Sequence, residues 1–384
     1  MQAEMTEHLG VVPYARSGAR RGYRNGYKPR SLKTRVGKLH LHVPQARDGS
    51  FTTQLFVRYQ RSEKALCLAL MEMVIQGVST RRVEAITRQL CGTDFSAATI
   101  SNLSQQLDTD LEKFWNRDLS GNEYPYLLVD ARYEKVRQHG QVVDQAILLM
   151  VGINAAGYRE IVAIEVANLE SESTWGEVFK RLQERGLRGV KLVVSDDHKG
   201  IKAAVARFFT GCLWQRCRVH FLRNLMGLVC RKERKQVVQV LHFIWAAESL
   251  PTAQRRIKQV VTFYQERYPE LATAIEEGTQ ETLAVFALPE SQRKKLATTN
   301  CVERLSQSIK QRTRVVRIFP NRHSCLRLVT AILQEIHEDW STGYRYLEMD
   351  LTERKEVDED RALSLPQEVD SAFVETFEPV LVNA

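Results

Sequence analysis

The sequence has no apolar run approaching the ~20 residues of a membrane span. Its longest, Ala146 to Ile153, suits a buried strand, so no membrane partner is expected. It has no regular cysteine spacing either. Seven cysteines, an odd number, are scattered at positions 67, 91, 212, 217, 230, 301 and 325. That pattern excludes a disulfide scaffold and predicts a reduced, cytoplasmic protein. Met1 to Gly10 carries Glu4 and Glu7 and lacks an apolar core, so no signal peptide is read there. Carboxylates are missing altogether from Arg304 to Arg327, which holds seven Lys/Arg.

What is present is a long and basic chain. Its 384 residues, 43% of them hydrophobic, suffice for two or three domains with a sizeable core. The net charge of +9 is uneven: residues 1–60 hold eleven Lys/Arg against three acids, whereas Leu351 to Ala384 hold nine acids against three bases. Basic blocks in a folded chain point to phosphates, whose neutralisation releases counterions, and so to a nucleoid-associated protein. The acidic tail, 348–384, reads as disordered or as a surface segment.

Along the chain, residues 1–61 read as a basic arm with a small β element. Residues 11–34 are rich in Gly, Arg and Tyr, cannot bury a core alone, and are expected to order along a DNA backbone through Arg21, Arg24, Lys28 and Arg30. Leu39, Leu41 and Val43 alternate as in a strand, with Phe51 to Tyr59 as its expected partner. Residues 62–118 read as three helices, the second capped by Ser79 with Val83, Ile86 and Leu90 on one face. After a turn at Cys91–Asp94, Ser96 caps the third, which buries Ile100, Leu103, Leu107 and Leu111. The triplet fits either a plain bundle or a helix-turn-helix module whose third helix offers Ser101, Asn102 and Gln105 to a groove.

At Tyr124 the period changes. Residues 126–137, 142–154 and 158–166 read as strands with tight turns between them, followed by helix 173–185, strand 191–195, helix 199–209, strand 212–215 and a helix from about Val219. Three antiparallel strands followed by alternating strands and helices describe an α/β layer on a mixed sheet, the order of the ribonuclease-H-like fold. Residues 119–230 would form the first part of that core, 231–297 an all-helical insertion, and 298–347 its C-terminal helices.

Two acids close apolar runs: Asp130 after Tyr126–Val129, and Asp196 after Leu192–Ser195. A third, Glu303, stands in the first turn of a predicted helix. Two strand-end aspartates and a helical glutamate can hold two divalent ions, which stabilise both the attacking and the leaving oxygen of a phosphodiester. Each has a plainer reading. A strand-end aspartate caps turns, Asp197 rivals Asp196, and Asn300 with Glu303 is spaced as a helix cap with its carboxylate partner. Gln307, Lys310 and Arg314 share a basic face of that helix with Arg312 nearby, opposite Val302, Leu305, Ile309 and Val316. Cys217 and His220, with Cys212 and Cys230 nearby, have the residue types of a zinc site, but read rather as a packed element near the acids.

These motifs resemble the Mutator-like family of bacterial insertion-sequence transposases. The stretches that carry the resemblance are Tyr23–Tyr27, Arg58–Ser62, Gln76–Arg81, Asp130–Tyr133, Val194–Asp196, Gln215–His220 and Thr298–Arg304. The resemblance implies that Asp130, Asp196 and Glu303 are a metal-binding triad, with Mg²⁺ or Mn²⁺ as two ions. It marks Arg132, His198, Cys217, His220 and Asn300 as signature positions. It implies cleavage of 3′ ends at terminal inverted repeats and their direct joining to target DNA. Double-stranded DNA and a homodimer or larger synaptic assembly are the implied partners. A different ribonuclease-H-like nuclease, or an inactive DNA-binding regulator, is the rival reading.

Overall fold

A computed structural model describes residues 1–55, 62–91 and 95–349. The chain divides into two compact units, residues 1–109 with 312–316, and residues 110–311 with those from 317 onward.

The first unit opens with helix α1 (Gln2–Leu9) and an antiparallel hairpin of β1 (Arg24–Thr34) and β2 (Gly37–Ala46). Register runs from Tyr27 opposite Pro44 to Thr34 opposite Gly37. Gly37 takes the left-handed backbone of the tight turn (φ 115°), and Thr34 Oγ1 donates to its carbonyl at 2.8 Å. This corrects two expectations. The segment expected to lack structure of its own supplies a strand, and that strand, not Phe51–Tyr59, pairs with β2; residues 56–61 lie outside the described residues. Backbone pairing satisfies N–H and C=O groups whatever the side chains. A strand with polar residues on both faces therefore leaves no alternation to read. Met5, Leu9, Val11 and Ala46 form a small core under the hairpin, with Phe51 against it.

Helices α2 (Lys64–Ile75), α3 (Thr80–Cys91) and α4 (Ala97–Ser104) pack through Leu66, Leu70, Val83, Phe95 and Ile100. Ser79 Oγ accepts from Arg82 N–H at 3.3 Å, and Ser96 Oγ from Thr99 N–H at 3.2 Å, so both caps form. Leu90 is 73% exposed; Thr87 takes the buried position on α3 and donates its hydroxyl to the Val83 carbonyl. The expected third helix is broken: α4 stops at Ser104, a tight turn covers Gln105–Leu107, and α5 (Asp108–Trp115) restarts. Of the turn at Cys91–Asp94, residues 92–94 lie outside the described residues.

The second unit is built on a five-stranded sheet in the order β5-β4-β3-β6-β7, from β3 (Tyr126–Gln138), β4 (Gln141–Ile153), β5 (Arg159–Ala167), β6 (Leu192–Ser195) and β7 (Leu213–Arg216). β3, β4 and β5 pair antiparallel, while β6 and β7 add in parallel on the far side of β3. The parallel joins need crossovers. α6 (Glu172–Glu184) and α7 (Lys199–Phe208) supply them and share a core through Trp175, Phe179, Leu182, Ile201 and Val205. The mixed α/β expectation and the strand positions hold to within a residue or two. After α8 (Arg218–Met226), the insertion is wholly helical: α9 (Arg234–Trp245), α10 (Leu250–Tyr264), α11 (Pro269–Thr279) and α12 (Glu290–Leu296). α13 (Asn300–Thr313) and α14 (Arg322–Thr342) follow. Among the described residues no helix is long and apolar enough to cross a membrane.

Candidate active site

Leu128 of β3 stands opposite Val194 of the parallel strand β6. Asp130 and Asp196 follow two residues further along each chain, past the last paired residues, near enough for the charge of Asp196 to act on Asp130. β6 ends at Ser195, but β3 continues to Gln138 along β4, so Asp130 lies inside its strand and not at its end. The apolar run stops there because the neighbour on one side stops.

Asp130 is 8% exposed, and its Oδ1 accepts one backbone hydrogen bond, from Ala131 N–H at 3.0 Å. Burial pushes its carboxyl up to about 7; the charges of Asp196 and Glu303 add to the rise and His220 opposes it. Asp196 Oδ1 is buried without a hydrogen-bond partner. Glu303, in the first turn of α13, accepts from His220 Nε2 at 3.2 Å and lies 3.4 Å from the Arg223 guanidinium. The His220 bond, against burial and with help from Arg223, holds its carboxyl below the usual range. On His220 burial opposes the charge, but Cys217, Glu303 and Asp130 outweigh it and keep the ring protonated well above its ordinary value.

Local chain chemistry fixes this arrangement. α13 begins at Asn300, one residue earlier than the cap reading required. The Thr299 carbonyl accepts from the N–H groups of Val302 and Glu303 at 2.8 and 2.9 Å. Thr299 also donates its own N–H and hydroxyl to Cys217 Sγ, both at 3.3 Å, and Arg218 N–H donates to the Ala297 carbonyl at 3.0 Å. The Cys217–His220 turn is thereby laced to the start of the glutamate helix. From β3, Arg132 donates to the Ser306 carbonyl one turn further on and pairs with Glu134 at 2.6 Å. His198 caps α7, its Nδ1 accepting from Gly200 N–H at 3.2 Å. Asp197 turns away into a separate ion-pair cluster with Lys202 and Arg216.

Sequence reasoning missed three groups here. Arg223 and Thr299 touch Glu303 and Cys217 as described. Glu170 is the third: its carboxylate is 8% exposed, accepts from Trp175 Nε1 at 3.2 Å, and is raised by burial and by the charge of Asp196. Its polar setting, Asn168-Leu169-Glu170-Ser171-Glu172, gives no sign of burial; only the tryptophan five residues on hints at it.

Of the other predicted positions, Val302, Leu305 and Ile309 are buried, and Gln307 and Lys310 are exposed. α13 ends at Thr313, so Arg314, exposed, and Val316, half-buried, fall beyond it; Arg312 is half-buried. In the first unit Arg21 and Lys28 are exposed and Arg30 half-buried. Arg24 is engaged within the fold, donating to Gln2 Oε1 at 3.2 Å and Thr6 Oγ1 at 2.8 Å. Ser101, Asn102 and Gln105 are exposed.

Among the described residues no three His, Cys, Asp or Glu converge on one metal position. Cys230 faces the Tyr268 hydroxyl at 3.8 Å, inside the insertion. The donor chemistry of Asp130 and Asp196 nevertheless suits a hard divalent cation: one carboxylate is buried with a single backbone hydrogen bond, and the other, half-buried, has a buried oxygen without a partner. Glu303 is occupied by His220 and Arg223.

The profile of the Mutator transposase family matches residues 1–343. The chain is similar to the transposase for insertion sequence element ISRM5 of Rhizobium meliloti, 48% identical over 358 residues, 93% of this chain and 90% of that protein. It is similar to the transposase for insertion sequence element IS406 of Burkholderia multivorans, 42% identical over 347 residues, 90% of this chain and 89% of the relative. A solved Drosophila P element transposase strand transfer complex aligns with 78% of this chain and 84% of its own, at 11% identity and a TM-score of 0.30, too slight a likeness to bear on the fold.

Proposed function

The chain belongs to the Mutator family of transposases, and from that premise we propose that Asp130, Asp196 and Glu303 are the carboxylates through which it cuts and joins the ends of an insertion sequence. The family implies a DNA-cleaving and DNA-joining enzyme. The observation that supports the assignment is the parallel pairing of β3 with β6, after which Asp130 and Asp196 follow, with one Asp196 oxygen buried and unbonded. The sheet order suits a ribonuclease-H-like core.

Asp130 and Asp196 would hold the divalent cations, with Glu303 joining through Oε2 while His220 and Arg223 hold its Oε1. Bound there, Mg²⁺ or Mn²⁺ would supply Lewis-acid stabilisation of the attacking and leaving oxygens. The chain's own residues do the rest. β3 and β6 fix the spacing of the two aspartates, and burial keeps them poorly solvated, which strengthens their interaction with a cation. Arg132 and the Cys217–Thr299 hydrogen bonds hold the glutamate helix against the sheet. His220 and Arg223 keep Glu303 charged and oriented. Both chemical steps, hydrolysis at the element's 3′ end and attack of the freed 3′-hydroxyl on target DNA, are in-line phosphoryl transfers that rest on positioning. Partners follow from the reaction: duplex element ends, target duplex, and a second copy of the chain to bring two ends together.

A strand-transfer assay tests this, using purified protein, Mg²⁺ and duplexes carrying the ends of its own element, with Glu303→Gln as control. Metal-dependent joining by the parent and none by the variant is expected. Cleavage without joining would favour the nuclease, and binding without either reaction the regulator.

A further inference from the structure

From His8 to Arg47 the sequence holds ten Lys/Arg (positions 16, 20, 21, 24, 28, 30, 33, 35, 38 and 47) and no Asp or Glu. The structure gathers six of them onto the β1–β2 hairpin, five in its strands and Arg35 in its turn. Register sorts its side chains into two faces, since opposed residues share a face. Lys28, Arg30, Leu32, Leu39, Leu41 and Val43 lie on one, with Lys28 and Leu39 exposed and the other four half-buried. On the other are Tyr27, Pro29, Ser31, Lys38, His40 and His42, all exposed.

The hairpin is also braced for docking. Arg24 fastens it to α1, and Gln2 Nε2 donates to the Tyr27 hydroxyl at 2.6 Å. At about 3.4 Å per residue, an eleven-residue strand makes a ribbon about 35 Å long. A two-stranded ribbon is one of the shapes that a duplex major groove, about 12 Å wide, admits.

The rival element is α4. It has Ser101, Asn102 and Gln105 outward, the right chemistry for base edges. But no Lys or Arg occurs between Arg88 and Lys113, a stretch that contains Asp94, Asp108, Asp110 and Glu112. α4 brings no cation of its own to the phosphate rows beside a groove, where phosphate contacts set register and supply much of the affinity. The hairpin brings both classes of group on one face: Lys38 for phosphates, and Ser31, His40 and His42 as donors and acceptors for base edges.

We infer that the β1–β2 ribbon, by its Tyr27–Ser31–His40–His42 face, is the element that reads duplex DNA at the ends of the insertion sequence, in place of α4. The inference rests on the transposase reading for the identity of that DNA.

The test is fluorescence anisotropy with the full chain and two duplex probes, one carrying the element's own end and one of the same composition scrambled, across a KCl series. Circular dichroism confirms folding of each variant. Ser31→Ala/His40→Ala/His42→Ala is expected to reduce the preference for the end probe at least tenfold while scrambled binding and its salt slope stay within twofold. Lys38→Ala is expected to weaken both probes alike and lower the slope of log K against log salt by about 0.9, for the one phosphate no longer neutralised. Ser101→Ala/Asn102→Ala/Gln105→Ala is expected to change the preference less than twofold. Loss of preference in this last variant with none in the first would overturn the inference, as would a parent that shows no preference at all. Strand transfer by the parent on the same ends is scored separately, so failed joining with intact end preference counts against the catalytic reading and leaves the ribbon standing.

Discussion

Asp196 and Asp197 are neighbours in sequence and belong to two differently built acidic regions of the same unit. Asp196 looks toward Asp130 and Glu170, with one oxygen buried and unbonded. Asp197 takes Lys202 at 2.5 Å and Arg216 at 3.0 Å, and the same two cations hold Glu281 at 2.6 and 3.2 Å. The second cluster is neutral and closed, and through Glu281 it ties the helical insertion to β7 and α7. The first is an excess of negative charge kept from water. Burying like charges together costs stability, and folding by itself gives no return for it. The fold satisfies one aspartate fully and leaves the adjacent one wanting, which fits the cation proposed for it.

The sharpest way to break the comparison is to remove each aspartate. Asp196→Ala should abolish strand transfer and leave the urea midpoint unchanged or higher, since an unbonded buried oxygen is lost. Asp197→Ala should do the reverse, retaining joining and lowering stability by about 2 kcal/mol, because Arg216, 11% exposed, loses one of its two carboxylates. If Asp197→Ala abolished joining at unchanged stability, the two regions would have exchanged roles.

A smaller effect is expected where the regions are bridged to the glutamate. His220→Asn removes the bond to Glu303 while the Cys217–Thr299 hydrogen bonds survive. Loss of such an orienting partner typically lowers activity or metal affinity about 10- to 100-fold. The Mg²⁺ concentration giving half-maximal joining should move with the rate. A rate loss with an unmoved Mg²⁺ requirement would make His220 a packing group only.

Much of this was legible in advance. The apolar runs before Asp130 and Asp196, and the change of period at Tyr124, are local signals, and the mixed sheet follows from their order. Strand register and the family pattern already favour Asp196 over Asp197, but the fate of Asp197 depends on Glu281, far along the chain. β1 hid because neither of its faces is apolar, so nothing alternates. The break of the third helix at Gln105 hid for the opposite reason: Ile100, Leu103, Leu107 and Leu111 keep helical spacing through a turn that does not. Glu170 was hidden among polar neighbours, its burial being decided by Trp175 and by the strand that leads to Asp196.

The smallest effect extends the comparison to histidines. His220 has carboxylates around it and is held charged. His242, in the insertion, is pushed down to about 4 by burial and then by the Arg218 charge, and His337 on α14 falls to about 4 by burial and then by Arg117. Each is therefore neutral in the folded protein through a range where the unfolded chain takes up a proton. The stability each contributes is complete above the unfolded value of about 6.5 and is lost as pH falls from there toward 4. Urea midpoints should drop between pH 7 and pH 5, by about 1–2 kcal/mol for the pair after allowance for partial exposure. His242→Gln should flatten part of that acid limb and leave the stability above pH 7 nearly unchanged. An acid limb equally steep in this variant would mean that Arg218 and the insertion core do not oppose the imidazolium, and the contrast with His220 would fail.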